Sequence, residues 1–501
     1  MSAGSRPDSI STRGNADAGA GADSVQHPWD GRAELLDELS RYVTDAWTSF
    51  EHPRSREPQP EHDLLARLAE RMPQQAGQPH EVLADAVHAL ESSISPSRPL
   101  YLAYIGSSGL EAGVLAAALT AVYDINMATA AGTGDALDAQ AVRWMGEFLG
   151  YPVADGHFTS GGQTSNLTAI LAAREHAMPG TRKTGITRPG AIYCSDEAHH
   201  SNTRAVEAAG MGSQAIRRIP VDTLHRMDVA ALRRQLADDV AAGVTPVAVI
   251  ATAGTTLTGA VDPLDEIATV CEEFGVWMHV DGAYGLPAAA STRAGARFVG
   301  LERADSLTVD AHKWMGLQKS CSLVLMRHPD ALLRTFGHDE RYMLHEHDAV
   351  NPVDRTFEYS RPFRALKFWL AMRLYGADQY RAWIDQTLEH AAVFAEQLRT
   401  HPGFELLHEP QLSTVCFRAV PDALGALVTP GESAARASDP DALNTELAAA
   451  IQADGRVFLA PAVVDGAVCL RACFVNFRTS AADVDAILPV IDELARKLAH
   501  S

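Results

Sequence analysis

The chain has 501 residues, 46% of them hydrophobic, with 42 basic against 63 acidic side chains for a formal charge of −21. That length allows two or three domains of ordinary size. Without a Lys/Arg-rich block to offset the acidity, nucleic-acid and anionic-membrane partners are disfavoured, and small-molecule chemistry fits better. The six cysteines (Cys194, Cys271, Cys321, Cys416, Cys469 and Cys473) form neither a CxxC nor a Cys/His metal pattern, so they read as reduced, buried thiols, and no metal is expected. No run reaches the roughly 18–20 apolar residues that span a bilayer, and the N-terminus lacks a basic-then-apolar signal pattern; a cytoplasmic protein without membrane contact is expected.

Residues 1–26 are rich in Ser, Gly, Ala and Asp and predict a disordered tail. Over residues 27–98 apolar positions recur at helical spacing (Leu35, Leu36, Leu39, Tyr42 and Val43, then Leu64, Leu65 and Leu68), interrupted by a proline-containing stretch, which predicts helices with no obvious core of their own. From 99 to 376, short apolar runs alternate with longer helical patterns: Ala191–Cys194, Pro246–Ala251, Val276–Val280, Ser306–Val309 and Ser322–Met326 read as strands. Such alternation implies βαβ units and an open, mostly parallel α/β sheet, whose ligands sit beyond the carboxyl ends of the strands. Residues 377–501 read as a smaller α+β domain with strands at Leu412–Phe417 and Val468–Phe474.

The residues that follow the strand-like runs carry the chemistry. His279-Val280-Asp281-Gly282-Ala283-Tyr284 and Asp310-Ala311-His312-Lys313-Trp314 each end a buried run on polar groups. An amine able to form a Schiff base and a carboxylate able to keep a pyridine nitrogen protonated are the two groups that pyridoxal 5'-phosphate (PLP) chemistry asks for, and Lys313 and Asp281 can supply them. Thr159-Ser160-Gly161-Gly162-Gln163-Thr164-Ser165-Asn166 is a small, glycine-rich turn opening a helical stretch, able to offer backbone amides to a phosphate. Ser195-Asp196-Glu197-Ala198-His199-His200 stands at another strand end, where an imidazole could stack on a cofactor ring. Ala251-Thr252-Ala253-Gly254-Thr255-Thr256 could bring a hydroxyl near it.

With these motifs in this order, from about Trp29 to Ala486, the chain resembles the PLP-dependent decarboxylases of the aromatic-amino-acid and glutamate type. The resemblance implies the fold of PLP-dependent transferases (aspartate-aminotransferase-like, fold type I). It also implies Lys313 as the Schiff-base lysine, Asp281 as the pyridinium partner, His199 stacked on the ring and Ala283 on its other face. Gly162 and Gln163 would donate to the phosphate, helped by Ser306 and by Asp310 or His312, with Thr256 bonding near the cofactor. Asp339-Glu340-Arg341-Tyr342-Met343-Leu344-His345 resembles the mobile catalytic loop, making Tyr342 the acid that protonates Cα. The block Arg361–Trp369 resembles a segment that lies at a dimer interface, so a homodimer with shared active sites is implied. Three positions depart from the pattern: Asp310 where many relatives have Asn, Gln163-Thr164 in the phosphate loop, and His200 where Ser is usual.

The reaction so implied is decarboxylation of an L-amino acid to its amine, through an external aldimine and a ring-stabilised carbanion. The rival on the same fold is decarboxylation coupled to oxidative deamination, giving an aldehyde, ammonia and peroxide; retention of both His199 and Tyr342 weighs against it. Desulfurase or aminotransferase chemistry and a non-enzymatic scaffold are weaker rivals. Substrate contacts are expected from 101–108 and 125–133, which offer aromatic surface at Tyr101 and Tyr104 and contain no Lys or Arg. This favours an aromatic over an acidic side chain.

Overall fold

A computed structural model describes residues 31–54, 58, 61–106, 109–129, 131–338, 351–426 and 439–500. Seven strands form the main sheet: β1 (Asp155–Thr159), β2 (Gly190–Ser195), β3 (Ile216–Ile219), β4 (Thr245–Thr252), β5 (Trp277–Asp281), β6 (Ser306–Val309) and β7 (Ser322–Met326). Their spatial order is β1-β7-β6-β5-β4-β2-β3. The pairs β6/β5, β5/β4, β4/β2 and β2/β3 are parallel, while β7 runs antiparallel to both of its neighbours. The central strands are buried along nearly their whole length, as continuous apolar runs covered on both faces should be. Parallel pairing brings Ser195, Thr252, Asp281 and Val309, the last residues of β2, β4, β5 and β6, to one edge of the sheet.

Two strands escape the sequence pattern. β1 reads DGHFT and β3 reads IRRI, so polar and basic residues mask their strand character. Tertiary partners offset this: Arg217 of β3 meets the Asp239 carboxylate at 2.9 Å, and Arg355 lies 3.3 Å from Asp155 of β1.

The helices that concern the site begin with α1 (Arg32–Ser49), α2 (His62–Leu68), α3 (Pro79–Glu91), α4 (Glu111–Tyr123) and α5 (Thr133–Leu149). Next come α6 (Gly162–Ala177), the one-turn α7 (Thr181–Thr184) and α8 (His200–Ala208). In α1, α2 and α3 only Leu64 is buried, leaving apolar side chains such as Leu36, Leu68 and Leu90 on the surface. The long helix Ala365–Thr400 is interrupted at Gly376, whose φ of 78° lies where a side chain would be strained.

A second, antiparallel sheet is made of β8 (Phe404–Leu406), β9 (Thr414–Ala419), β10 (Ala460–Val464) and β11 (Ala467–Cys473), in the order β10-β11-β9-β8. It packs its own core around Phe394, Phe417, Leu470 and Phe474. Leu100 and Leu102 belong to this core, although a boundary at residue 99 assigns them to the larger domain. The backbone explains the difference: Leu102 N donates to Phe458 O and Cys473 N donates to Leu102 O, both at 2.9 Å. Tyr284, just beyond β5, ties the two sheets together through its hydroxyl, 2.6 Å from Ser413 Oγ, and stacks on Trp314 at 5.2 Å.

Among the described residues no helix is long and apolar enough to cross a membrane, and no cluster of His, Cys, Asp and Glu side chains could hold a metal ion. The six cysteines are free and buried.

Candidate active site

Asp281 ends β5 and is 5% exposed. A carboxylate so placed is costly unless hydrogen-bonded. Its Oδ2 accepts from Asn166 Nδ2 of α6 at 2.9 Å and from Asn202 Nδ2 of α8 at 2.7 Å. Among the described residues its Oδ1 accepts only from the backbone N–H of Ala283, at 3.3 Å. One oxygen is thus saturated by amide donors while the other retains capacity for a further donor.

Lys313 follows β6 on a tight turn closed by its own N–H on Asp310 O, at 3.0 Å. Its Nζ lies 3.2 Å from Asp310 Oδ2, and His312 Nε2 approaches the same oxygen at 3.6 Å. The other nitrogen of His312, Nδ1, is 2.9 Å from Cys321 O and donates to it, and burial lowers the pKa of this imidazole. The remaining oxygen of Asp310, Oδ1, is buried and has no partner among the described residues.

The glycine-rich turn meets this group. Gly161 caps α6 without a side-chain acceptor, and the first amides of a helix have no intrahelical partner, so the loop presents free N–H donors and the positive end of the helix dipole. A Cβ placed on Gly162 would stand 3.0 Å from both Asp310 oxygens and 3.2 Å from Ala283 Cβ. Gly162, Ala283 and Asp310 therefore converge on one small space. Hydroxyls brace the turn: Thr159 Oγ1 lies 2.7 Å from Ser165 Oγ, which is 2.9 Å from Ser322 Oγ, and Ser160 Oγ is 2.8 Å from Thr164 Oγ1. Gln163 sits beside Gly162 in the first turn of α6.

His199 caps α8. Its Nδ1 accepts from Ser201 N at 3.2 Å and lies 2.8 Å from Ser201 Oγ, which leaves Nε2 as the protonated nitrogen of the neutral ring. Burial depresses its pKa; Lys313 and His200 push the same way, and Asp281 and Asp310 oppose them. His199 and His200 both keep a face open to solvent.

Two expectations change with the structure. Ser306, expected to help hold a phosphate, is the first residue of β6, at the end away from Asp310, and is fully buried. Its Oγ accepts from Trp277 Nε1 at 2.8 Å and faces His279 Nδ1 at 2.9 Å, so the hydroxyl is spent inside the sheet. Thr256, expected near the cofactor, lies four residues past the end of β4, and its carbonyl accepts from Arg471 of the second sheet. The hydroxyl that stands beside Asp281 belongs to Thr252, its register partner on β4, whose buried Oγ1 has no partner among the described residues; the buried Oγ of Ser195, at the end of β2, is likewise unpartnered. Asn166 and Asn202 were also not singled out. Asparagine inside a helix is the available signal, because the residue disfavours that setting unless its side chain is engaged. Tyr342 lies outside the described residues.

Residues 60–420 match the model of the pyridoxal-dependent decarboxylase conserved domain. The chain belongs to the pyridoxal-dependent decarboxylase family. It is 32% identical to an aromatic-L-amino-acid decarboxylase of Bacillus atrophaeus over 450 residues, covering 87% of this chain and 90% of the relative. With the L-2,4-diaminobutyrate decarboxylase of Rhizobium meliloti (strain 1021) identity is 37% over 349 residues, 69% of this chain and 67% of the relative. In structure the chain is similar to mouse CSAD, with a TM-score of 0.85 and 25% identity over 93% of this chain and 99% of that one. The fold is therefore fold type I α/β, and this family member is a carboxy-lyase acting on an amino acid with PLP as its cofactor.

The residues present suit that cofactor. A buried carboxylate with one open oxygen, an amine on the turn after the neighbouring strand, buried hydroxyls at Ser195 and Thr252 without partners among the described residues, and a helix N-terminus too close to Asp310 and Ala283 for a side chain at Gly162 together match a polar aromatic phosphate.

Proposed function

We propose that Lys313 is the amine to which the cofactor aldehyde attaches, that Asp281 pairs with its pyridine nitrogen, and that the substrate is an L-amino acid with an aromatic side chain. The observation that carries the site reading is the Asp281 carboxylate, held by two amide donors and one strand over from the Lys313 turn. PLP, when bound, supplies an electron-withdrawing ring that takes up the electron pair left at Cα as carbon dioxide departs. Asp281 favours that withdrawal by holding a proton on the ring nitrogen. The α6 amides at Gly162 and Gln163 would hold the phosphate, with His312 beside Asp310, and Ala283 and His199 would be the residues that contact the ring. His199, neutral with its proton on Nε2, orients the substrate and can pass a proton at that atom. Tyr342 delivers the proton to Cα, and Lys313 expels the amine product.

Support for an aromatic substrate is chemical. The segments 101–106 and 125–129 contain no basic side chain, and Tyr104 and Ile125 leave apolar surface exposed. A homodimer with shared sites belongs to the same proposal. It is supported by the apolar side chains left open on α1 and α4, among them Leu36, Leu115, Leu119, Val122 and Tyr123. Six free thiols support a reducing, cytoplasmic setting.

The test is a screen of the twenty amino acids and their hydroxylated derivatives, with carbon dioxide, amine, aldehyde and peroxide all measured. Carbon dioxide and amine in equal amounts from an aromatic substrate are expected. Stoichiometric peroxide with aldehyde would replace the simple decarboxylase reading by the oxidative one.

A further inference from the structure

Behind Asp281, away from the open oxygen, runs a chain of buried hydrogen bonds that starts at an indole. Trp277 Nε1 can only donate, so Ser306 Oγ accepts at 2.8 Å. Ser306 Oγ is 2.9 Å from His279 Nδ1, and His279 Nε2 is 3.0 Å from Asn166 Oδ1. Asn166 Nδ2 then reaches Asp281 Oδ2 at 2.9 Å, with a longer contact of 3.4 Å to Ser201 Oγ.

The carboxylate end dictates every direction. Asp281 Oδ2 accepts from Asn166 Nδ2, so the NH2 group of Asn166 faces the carboxylate and its Oδ1 faces His279. The hydrogen between them therefore sits on His279 Nε2, the ring's Nδ1 is a bare acceptor, and Ser306 donates to it. Thr308 Oγ1, 3.5 Å from His279 Nε2, is too distant to compete. Four side chains on β5, β6 and α6 thus point their donors one way, toward Asp281.

We infer that His279 is a positioning residue for the reaction: it locks the Asn166 amide so that the donor end, not the carbonyl, faces Asp281. Asn166 is the hub. Its NH2 group serves Asp281 directly and leans toward Ser201, whose hydroxyl lies 2.8 Å from His199 Nδ1, so both groups proposed to flank the cofactor are reached from one buried imidazole. The neighbouring donor, Asn202, has no such lock, since its Oδ1 is buried without a partner among the described residues. Rotation of the Asn166 amide by half a turn would set an oxygen against the Asp281 carboxylate, and the bond to His279 Nε2 opposes that rotation.

The inference rests on Asp281 being the partner of the pyridine nitrogen, so its test separates the two. Apoenzymes of the wild type, His279→Phe, His279→Gln and Asp281→Ala are titrated with PLP, reading the dissociation constant and the pH midpoint of the visible absorbance band. His279→Phe is expected to weaken binding by about tenfold, as for one buried polar group left unsatisfied, and to shift the midpoint. His279→Gln, which keeps a donor near the Nε2 position, is expected to recover binding to within about threefold of wild type, on the same scale. Unchanged affinity and midpoint in His279→Phe, or no recovery in His279→Gln, overturns the lock while Asp281→Ala still impairs binding. Unimpaired Asp281→Ala overturns the site reading instead. Should His279→Phe fail to fold, nitrogen NMR of the histidine-labelled wild-type apoenzyme decides: a neutral His279 with its proton on Nε2 supports the lock, and a proton on Nδ1 alone overturns it.

Discussion

Lys313 and Asp310 form an ion pair, Nζ to Oδ2 at 3.2 Å, and the second oxygen of that aspartate is buried without a partner among the described residues beside Gly162. The pair sits where the proposed phosphate would meet the N-terminus of α6. Covalent use of the Lys313 amine would tie it to the cofactor and draw it from Asp310, leaving His312 as the other basic neighbour of that carboxylate. An anion would then face an anion.

Asp310→Asn should therefore tighten cofactor binding. At about 5 Å and an effective dielectric constant of about 20, two unit charges repel by roughly 3 kcal/mol, so a gain of about tenfold is a conservative expectation after screening. Titration of apoenzyme with PLP, and with inorganic phosphate as competitor, measures it. Weaker binding of both would mean that Asp310 works as a ligand-side partner and not as a competitor.

Gly162→Ala should impair the same cradle without unfolding the chain. The new methyl would stand 3.0 Å from the Asp310 oxygens and 3.2 Å from Ala283 Cβ, inside ordinary contact distance. PLP affinity is expected to fall by about tenfold or more, corresponding to the 1–3 kcal/mol typical of overpacking. Circular dichroism should remain that of the folded wild type, while thermal melting falls by the few degrees that such overpacking costs.

Stability should depend on pH through His279. Its pKa is pushed down to about 4 by burial, with Asp281 opposing, so the folded state holds it neutral while the unfolded ring titrates near 6.5. A depressed base contributes stability that is fully present above the unfolded value and is lost as pH falls from about 6.5 toward 4, because the unfolded chain binds the proton first. The full effect is on the order of 3 kcal/mol. Asp262, raised to about 6 by burial, works in the opposite direction over much of this window. The comparison to make is thus between wild type and His279→Gln in denaturant melts at pH 7 and pH 5, where the wild type should lose more stability than the variant.

Tyr342→Phe should separate amine from aldehyde chemistry. General acid catalysis contributes about 10²–10⁴-fold, so amine formation should fall by at least about a hundredfold. The share of aldehyde and peroxide should rise. An unchanged amine rate would remove Tyr342 from the proposed proton delivery.

Val122→Glu combined with Leu115→Glu should break the proposed dimer. Both side chains lie open on α4, Val122 at 80% exposure. Burying two carboxylates in an apolar contact costs far more than it returns. Sedimentation should shift from dimer to monomer with loss of activity; a wild-type chain that already sediments as a monomer would end the shared-site proposal.

Read from the sequence alone, the central strands β2, β4, β5, β6 and β7 stand out because strands covered on both faces must be continuous apolar runs, and the pair Asp281 and Lys313 stands out because polar groups directly after such runs have few structural reasons to be there. β1 and β3 were hidden, since Arg217 and Asp155 depend on distant partners that neutralise them. The docking of Leu102 onto Phe458 was hidden for the same reason.

The roles of single polar atoms were decided only in three dimensions. The resemblance implied a phosphate contact for the Ser306 hydroxyl, yet its partners Trp277 and His279 come from the neighbouring strand and turn it inward. Asn166 and Asn202, far apart in the chain, meet on one oxygen of Asp281. Local pattern reports which segments must be buried, because burial of apolar surface is set residue by residue. Hydrogen bonds are directional and pairwise, so which donor meets which acceptor is settled only once the sheet has brought distant strands and helix ends within 3 Å of each other.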